Sequence, residues 1–291
     1  MKFRNLLFIL PFLFTSSLVS CDTNTADFTI STTFAPIYDL TLRIVKDKAE
    51  VINLAKENEV HGFEINNMKD AAFTEKADIL FALGLNVDSF AKNMNSKNYV
   101  EINEGVSLIE KDGVVDPHIW LSLNNAIIMA ENILDEIIKQ DPENENFYRL
   151  NFETLKSEFS QLDKEYKGFF TSLGSEVKIV TSHDAFTYLC NDYGINQVSI
   201  RDMADNEASS QDYEKIISYI KENDIHTIFA EELDSSKEVD SIINTLKTQG
   251  YTDISKSVLN AYEGCSYESY EDGDDYLSVM KDNLANIKES I

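Results

Sequence analysis

Basic residues are scarce in this chain. Lys and Arg number 25 against 51 Asp and Glu, a formal charge of −26. A nucleic-acid backbone would be repelled, so that class of partner is excluded. The surface implied is soluble and self-repelling. Cysteine is nearly absent as well: Cys21, Cys190 and Cys265 are all there are, and no Cys-x-x-Cys occurs. A cysteine zinc knuckle is thereby ruled out, while pairing of Cys190 with Cys265 stays open because spacing alone cannot bring two Cα atoms into range. Neither His-Glu-x-x-His nor Gly-x-Ser-x-Gly is present, which removes two common motif routes to a hydrolase. Beyond the first twenty residues no apolar run approaches the length of a membrane span. Histidine occurs four times and tryptophan once.

Residues 1–20 read as a secretory signal: Lys2 and Arg4 supply a positive start, and an apolar run covers 6–14. The ending, Leu18-Val19-Ser20-Cys21, resembles a bacterial lipobox. Cys21 is then lipidated and becomes the first mature residue, 21–27 form a polar tether, and the protein sits outside the cell membrane, attached through its lipid only.

The remaining chain alternates strands and helices, the pattern of an α/β fold with mostly parallel sheets. Strands are expected at 28–34, 51–54, 77–83 and 99–102, then at 177–181, 197–200, 227–230 and from Val258. Between the halves, Tyr148, Phe152, Leu155, Phe159, Leu162, Tyr166 and Phe169 alternate spacings of four and three, the stripe of a long helix buried along one face. Asp141-Pro142 looks like its cap and first residue. The expected organisation is an N-terminal lobe over 28–141, a rigid linking helix over 142–172 and a C-terminal lobe over 173–291.

His61, in Glu59-Val-His-Gly-Phe-Glu64, His118, in Asp116-Pro-His-Ile-Trp120, and His183, in Thr181-Ser-His-Asp-Ala-Phe186, sit in similar settings. Each lies at or near the C-terminal end of an expected strand, where open α/β sheets gather ligands. Two fall in the first half and one in the second, so a shared site would lie between lobes. Imidazole suits zinc and related borderline metals. His226 precedes a buried strand and reads as structural.

At this point the chain resembles the zinc- and manganese-binding solute receptors of bacterial ABC importers. Asp116-Pro-His-Ile-Trp-Leu121, Asp141-Pro142 with Tyr148 and Asn151, Leu162-Asp163 with Tyr166, and Ser182-His-Asp-Ala-Phe186 with Tyr188 and Gly194 carry the likeness. Phe229-Ala-Glu231 and Tyr276-Leu-Ser-Val-Met280 with Asn283-Leu284 continue it. The resemblance implies two lobes around a buried metal, with His61, His118, His183 and an acidic residue of the last loop, Glu263, as ligands. Manganese receptors of this family tend to carry a carboxylate where His183 stands, so zinc is the expected cargo, delivered to an ABC permease by a monomeric receptor that is not an enzyme. A manganese receptor, a metal-dependent hydrolase or an adhesin-type lipoprotein are the alternatives. The Asp-Pro often found before the first His is Glu59-Val60 here, and no His-rich metal-collecting loop is present. Glu268, Glu271, Asp272, Asp274 and Asp275 are rivals to Glu263. Asp116 and Asp184 are the candidates for hydrogen-bonding the ligating imidazoles.

Overall fold

The computed structural model describes residues 28–55, 68–111, 113–203, 206–232, 237–264, 270 and 273–291. The expected signal, the tether with Cys21, His61 and Cys265 lie outside the described residues. So do Glu268, Glu271 and Asp272.

In the first lobe, β1 (Thr29–Thr32) leads through α1 (Ala35–Val45) to β2 (Glu50–Asn53). Next come α2 (Met68–Lys76), β3 (Ile79–Ala82) and β4 (Tyr99–Glu101). A hairpin of β5 (Glu110–Lys111) and β6 (Val114–Val115) precedes α3 (Leu123–Gln140) and the long α4 (Glu145–Leu173). The second lobe runs β7 (Val177–Thr181), α5 (Thr187–Tyr193), β8 (Ile195–Ser199), α6 (Ser210–Glu222) and β9 (Thr227–Glu231). It closes with α7 (Lys237–Thr248), β10 (Ser255–Leu259) and α8 (Tyr276–Ser290).

Among the described residues the strands form two four-stranded sheets, ordered β2-β1-β3-β4 and β10-β9-β7-β8, and the antiparallel hairpin. Every pairing within the two larger sheets is parallel. Numbered within its own lobe, each sheet has the order 2-1-3-4, so the two lobes repeat one topology without repeating sequence. Strand order reverses beside β1 in one lobe and beside β7 in the other. These switch points are where a parallel sheet leaves a crevice for ligand.

The apolar stripe of α4 is buried at Tyr148, Phe152, Leu155, Phe159, Leu162, Tyr166 and Phe170. The stripe therefore ends on Phe170, with the expected Phe169 only partly buried. A strict seven-residue repeat drifts off the buried face of a straight helix, and one added residue restores it. At 29 residues the helix spans roughly 43 Å. Its first half binds the first lobe, Asn151 Nδ2 donating to the Ile44 carbonyl at 2.9 Å. Its second half binds the other, Tyr166 Oη donating to the Met280 carbonyl at 2.6 Å. One continuous apolar core runs from Ile30 and Phe34 through Phe159 to Phe229 and Tyr276.

Two further local expectations are corrected, and one element was not foreseen. Pro142–Asn144 is a separate 3₁₀ turn, so α4 begins three residues later than the Asp-Pro signal implied. β10 begins at Ser255, not Val258: as the edge strand of its sheet it carries exposed Ser255 and Lys256, and no apolar alternation marks it. The β5–β6 hairpin was not expected, because two-residue strands with largely exposed side chains leave no pattern.

Candidate metal centre

His118 stands where the chain turns out of the hairpin. A 3₁₀ turn, Ile119–Leu121, separates it from α3, whose N-cap Ser122 accepts from the Asn125 backbone N–H. Asp116 Oδ1 lies 2.9 Å from the His118 backbone N and 2.8 Å from its Nδ1. One carboxylate oxygen thus fixes both the main chain and the ring. With Nδ1 held, Nε2 is turned inward, 3.6 Å from Glu263 Oε1.

His183 follows β7, one residue beyond Ser182, whose backbone N–H bonds the Phe229 carbonyl of β9. Its Nδ1 lies 3.0 Å from Oε2 of Glu231, the last residue of β9. The strands β7 and β9 flank the switch point of the second sheet, so topology places this pair where a ligand is expected. The His118 and His183 rings meet edge to face with centroids 5.3 Å apart. Glu263 enters from the loop after β10.

His118 and His183 are each 1% exposed and Glu263 5%. One potential ligand atom from each lies within 4.8 Å of the others. Donors about 2.0–2.1 Å from one tetrahedral ion would stand somewhat closer than that, so the trio needs only a small inward adjustment to share a cation.

Electrostatics favour a cation as well. Burial works against protonation of His118, but hydrogen bonds and charge from Asp116 and Glu263 outweigh it and hold the imidazole at about 9. For His183 burial again opposes the proton, and Glu231 overcomes it, so its pKa is raised too. Without a metal the carboxylates draw protons onto the imidazoles. A divalent cation must displace them, since a ligating imidazole is neutral.

Of the four expected ligands, three converge and His61 lies outside the described residues. Asp116 is confirmed as the partner of His118, but Asp184 does not serve His183. Its carboxylate instead meets Lys111 of the hairpin across the cleft. Adjacency in sequence misled there, because the carboxylate facing His183 arrives from the neighbouring strand as Glu231. A glutamate ending a central parallel strand was the available signal. Trp120 packs beside the site: its ring lies 5.3 Å from His118 and 5.0 Å from Phe34. Its Nε1 donates to the Ala261 carbonyl of the other lobe at 2.7 Å. His226 is on the surface, stacked on Tyr251. Asp275 caps α8 and is not drawn into the site. Cys190 is a buried free thiol.

Two α/β lobes of one topology, a helix spanning both, and a buried imidazole–carboxylate cluster to which both contribute define a solute-binding protein for a divalent metal. Residues 30–290 match the family described as ZnuA, zinc-uptake complex component A, periplasmic, and the chain belongs to that family. It is 33% identical over 287 residues to the high-affinity zinc uptake system protein ZnuA of Bacillus subtilis, covering 90% of this chain and 87% of that one. It is 28% identical over 305 residues to the manganese ABC transporter substrate-binding lipoprotein PsaA of Streptococcus anginosus, covering 96% of both. The structure of the Zn(II)-bound ZnuA-like domain of AdcA from Streptococcus pneumoniae superposes with a TM-score of 0.75 at 29% identity, over 90% of this chain and 98% of that one. The protein is thus a metal-binding receptor of the ABC-importer type, in a family whose members serve zinc or manganese.

Proposed function

We propose that this receptor captures Zn²⁺ outside the cell membrane and delivers it to an ABC permease, held at the membrane by a lipid on Cys21. His118, His183 and Glu263, with His61, are its ligands. The observation that carries the reading is the convergence of two imidazoles and one carboxylate from separate loops within 4.8 Å, all buried. Each of those imidazoles is backed by a carboxylate, Asp116 or Glu231, the arrangement that orients and strengthens a ligating histidine. A set rich in imidazole favours zinc over the harder manganese ion, which prefers oxygen. The lipid anchor rests on the Leu18–Cys21 motif and on the description of the PsaA relative as a lipoprotein.

Metal analysis of the purified protein with competitive titration of Zn²⁺ against Mn²⁺ tests the cargo. Zinc is expected to outcompete manganese clearly, and a manganese preference would overturn the assignment. His61→Ala and His118→Ala test the ligands. Each is expected to weaken zinc binding severely with the fold retained by circular dichroism, and unchanged affinity removes that residue from the set.

A further inference from the structure

Glu263 belongs to the second lobe, yet much of what holds its loop belongs to the first. On its own side, Asn283 of α8 grips Asn260, accepting from its backbone N at 2.8 Å and donating to its carbonyl at 2.8 Å. Tyr262 then adopts a φ of 55°. That left-handed conformation is unfavourable for an aromatic residue and persists only where its surroundings hold it. The turn brings Glu263 to His118.

The other anchors cross the cleft. Trp120 Nε1 donates to the Ala261 carbonyl, and Tyr276 Oη bonds the Trp120 carbonyl. Tyr262 and Tyr276 stack with centroids 5.2 Å apart. Both tyrosines converge on Asp39 of α1, whose Oδ2 takes the Tyr276 backbone N–H at 3.0 Å and the Tyr262 hydroxyl at 3.4 Å. Its Oδ1 receives Arg43 Nε at 2.6 Å. Arg43 also reaches Glu158 of α4 at 3.2 Å and Asp275, at the start of α8, at 2.6 Å. A pair four residues apart on one helix needs neither full burial nor partners elsewhere. Here Asp39 is wholly buried at 0% exposure, Arg43 is partly buried, and the pair reaches the linking helix and the opposite lobe.

We infer that Asp39 and Arg43 are positioning residues for the metal site: through Tyr262 and Tyr276 they fix the Glu263 loop against the first lobe and so set how long a bound divalent cation is retained. The inference rests on Glu263 being a ligand. Neither residue contacts the cation. Their effect falls on release more than capture, because the latch must open before Glu263 can leave.

The test compares Asp39→Asn, Asp275→Asn, Glu263→Gln and the Asp39→Asn/Glu263→Gln double variant. Zn²⁺ dissociation into excess chelator is followed by stopped flow, association is measured separately, and circular dichroism checks the fold. Asp275→Asn is the milder probe, since asparagine still caps α8 while Arg43 loses only one of its carboxylate partners. Asp39→Asn is expected to speed dissociation about tenfold with association unchanged, the scale of losing an outer-shell support. Asp275→Asn should speed it less. The Asp39→Asn effect should vanish in the Glu263→Gln background, as it must for two groups acting through one contact. Dissociation within about twofold of native, or an equal acceleration with and without Glu263, overturns the inference. If Glu263→Gln alone leaves zinc binding unchanged, the ligand assignment fails first and takes the inference with it.

Discussion

Replacing Glu231 with glutamine removes one full charge from beside His183 and little else. The amide fills the same space, 3.0 Å from Nδ1, and its carbonyl can still accept the ring proton, so tautomer and packing are kept. Carboxylates behind ligating histidines are worth about 10- to 100-fold in metal affinity, roughly 1.4–2.8 kcal/mol. With His183 and Glu231 almost wholly buried, solvent screens this pair weakly, so the loss should lie toward the upper end. The same charge also favours the competitor: burial opposes a proton on His183, but Glu231 raises its pKa. Below that raised pKa the native protein must shed a proton that Glu231 helped to bind, and the variant sheds it more easily. The two consequences partly offset near about pH 6.5, the ordinary imidazole value. As pH rises past the raised pKa, proton competition at His183 disappears and the full loss of metal affinity is exposed. Zn²⁺ titration against an indicator chelator, from about pH 6.5 to about pH 9.5, reads both terms. The fold-loss for Glu231→Gln should grow with pH. A loss that is constant with pH would show that Glu231 does not act through the basicity of His183, and no loss at any pH would refute the reasoning altogether.

Native zinc affinity should fall as pH drops below about 9, where His118 takes its proton, by about tenfold per unit for that step; a pH-independent affinity contradicts the site. Trp120, the single tryptophan, lies 5.3 Å from the His118 ring, so its emission should change in proportion to zinc bound and stay constant on titration of His118→Ala. Phe159→Ala opens a cavity where α4 meets Tyr276 and Arg43 and should cost about 3–5 kcal/mol in denaturant unfolding, with a loss below about 1 kcal/mol refuting its place in the core. Cys190 is fully buried and burial pushes its thiol pKa far up, so peptide mapping after alkylation should find it modified only once the protein unfolds.

Features that take the form of a repeating pattern are legible in the amino-acid sequence. The stripe on α4 announces both the helix and its buried face, and alternating strands and helices announce the parallel sheets. The Asp-Pro-His-Ile-Trp motif locates His118 and its partner Asp116 because both lie within one turn. Features that arise only in three dimensions are not legible. Glu231 and His183 are separated in sequence by α5, β8 and α6 and meet because their strands are neighbours. Asp39 and Arg43 look in sequence like an ordinary pair on a helix face, and only packing shows that α8 and the Tyr262 turn close over them. The hairpin and the start of β10 stay hidden for a simpler reason: exposed edges place no demand on side-chain polarity, so the periodicity that marks a buried strand is never written there.

The arrangement also explains how a cation can be both buried and exchanged. Counting formal charges, Asp116, Glu231 and Glu263 bring three negatives into one buried cluster. Uncompensated charge at such depth is costly. Two protonated imidazoles reduce the net charge to minus one, and one divalent cation among neutral imidazoles reduces it to the same value. The raised pKa of both histidines is the counterpart of affinity for a metal: whatever makes the cluster receptive to a divalent ion makes it receptive to protons while the ion is away. Exchange therefore need not pass through a state in which the negative charge of the cluster lacks compensation. His118 and Asp116 precede α3, while His183 follows β7, Glu231 ends β9 and Glu263 follows β10, so both lobes contribute to the charge balance. On the proposed assignment, the latch inferred at Asp39 and Arg43 acts on Glu263, the group that brings negative charge from the second lobe to within 3.6 Å of His118.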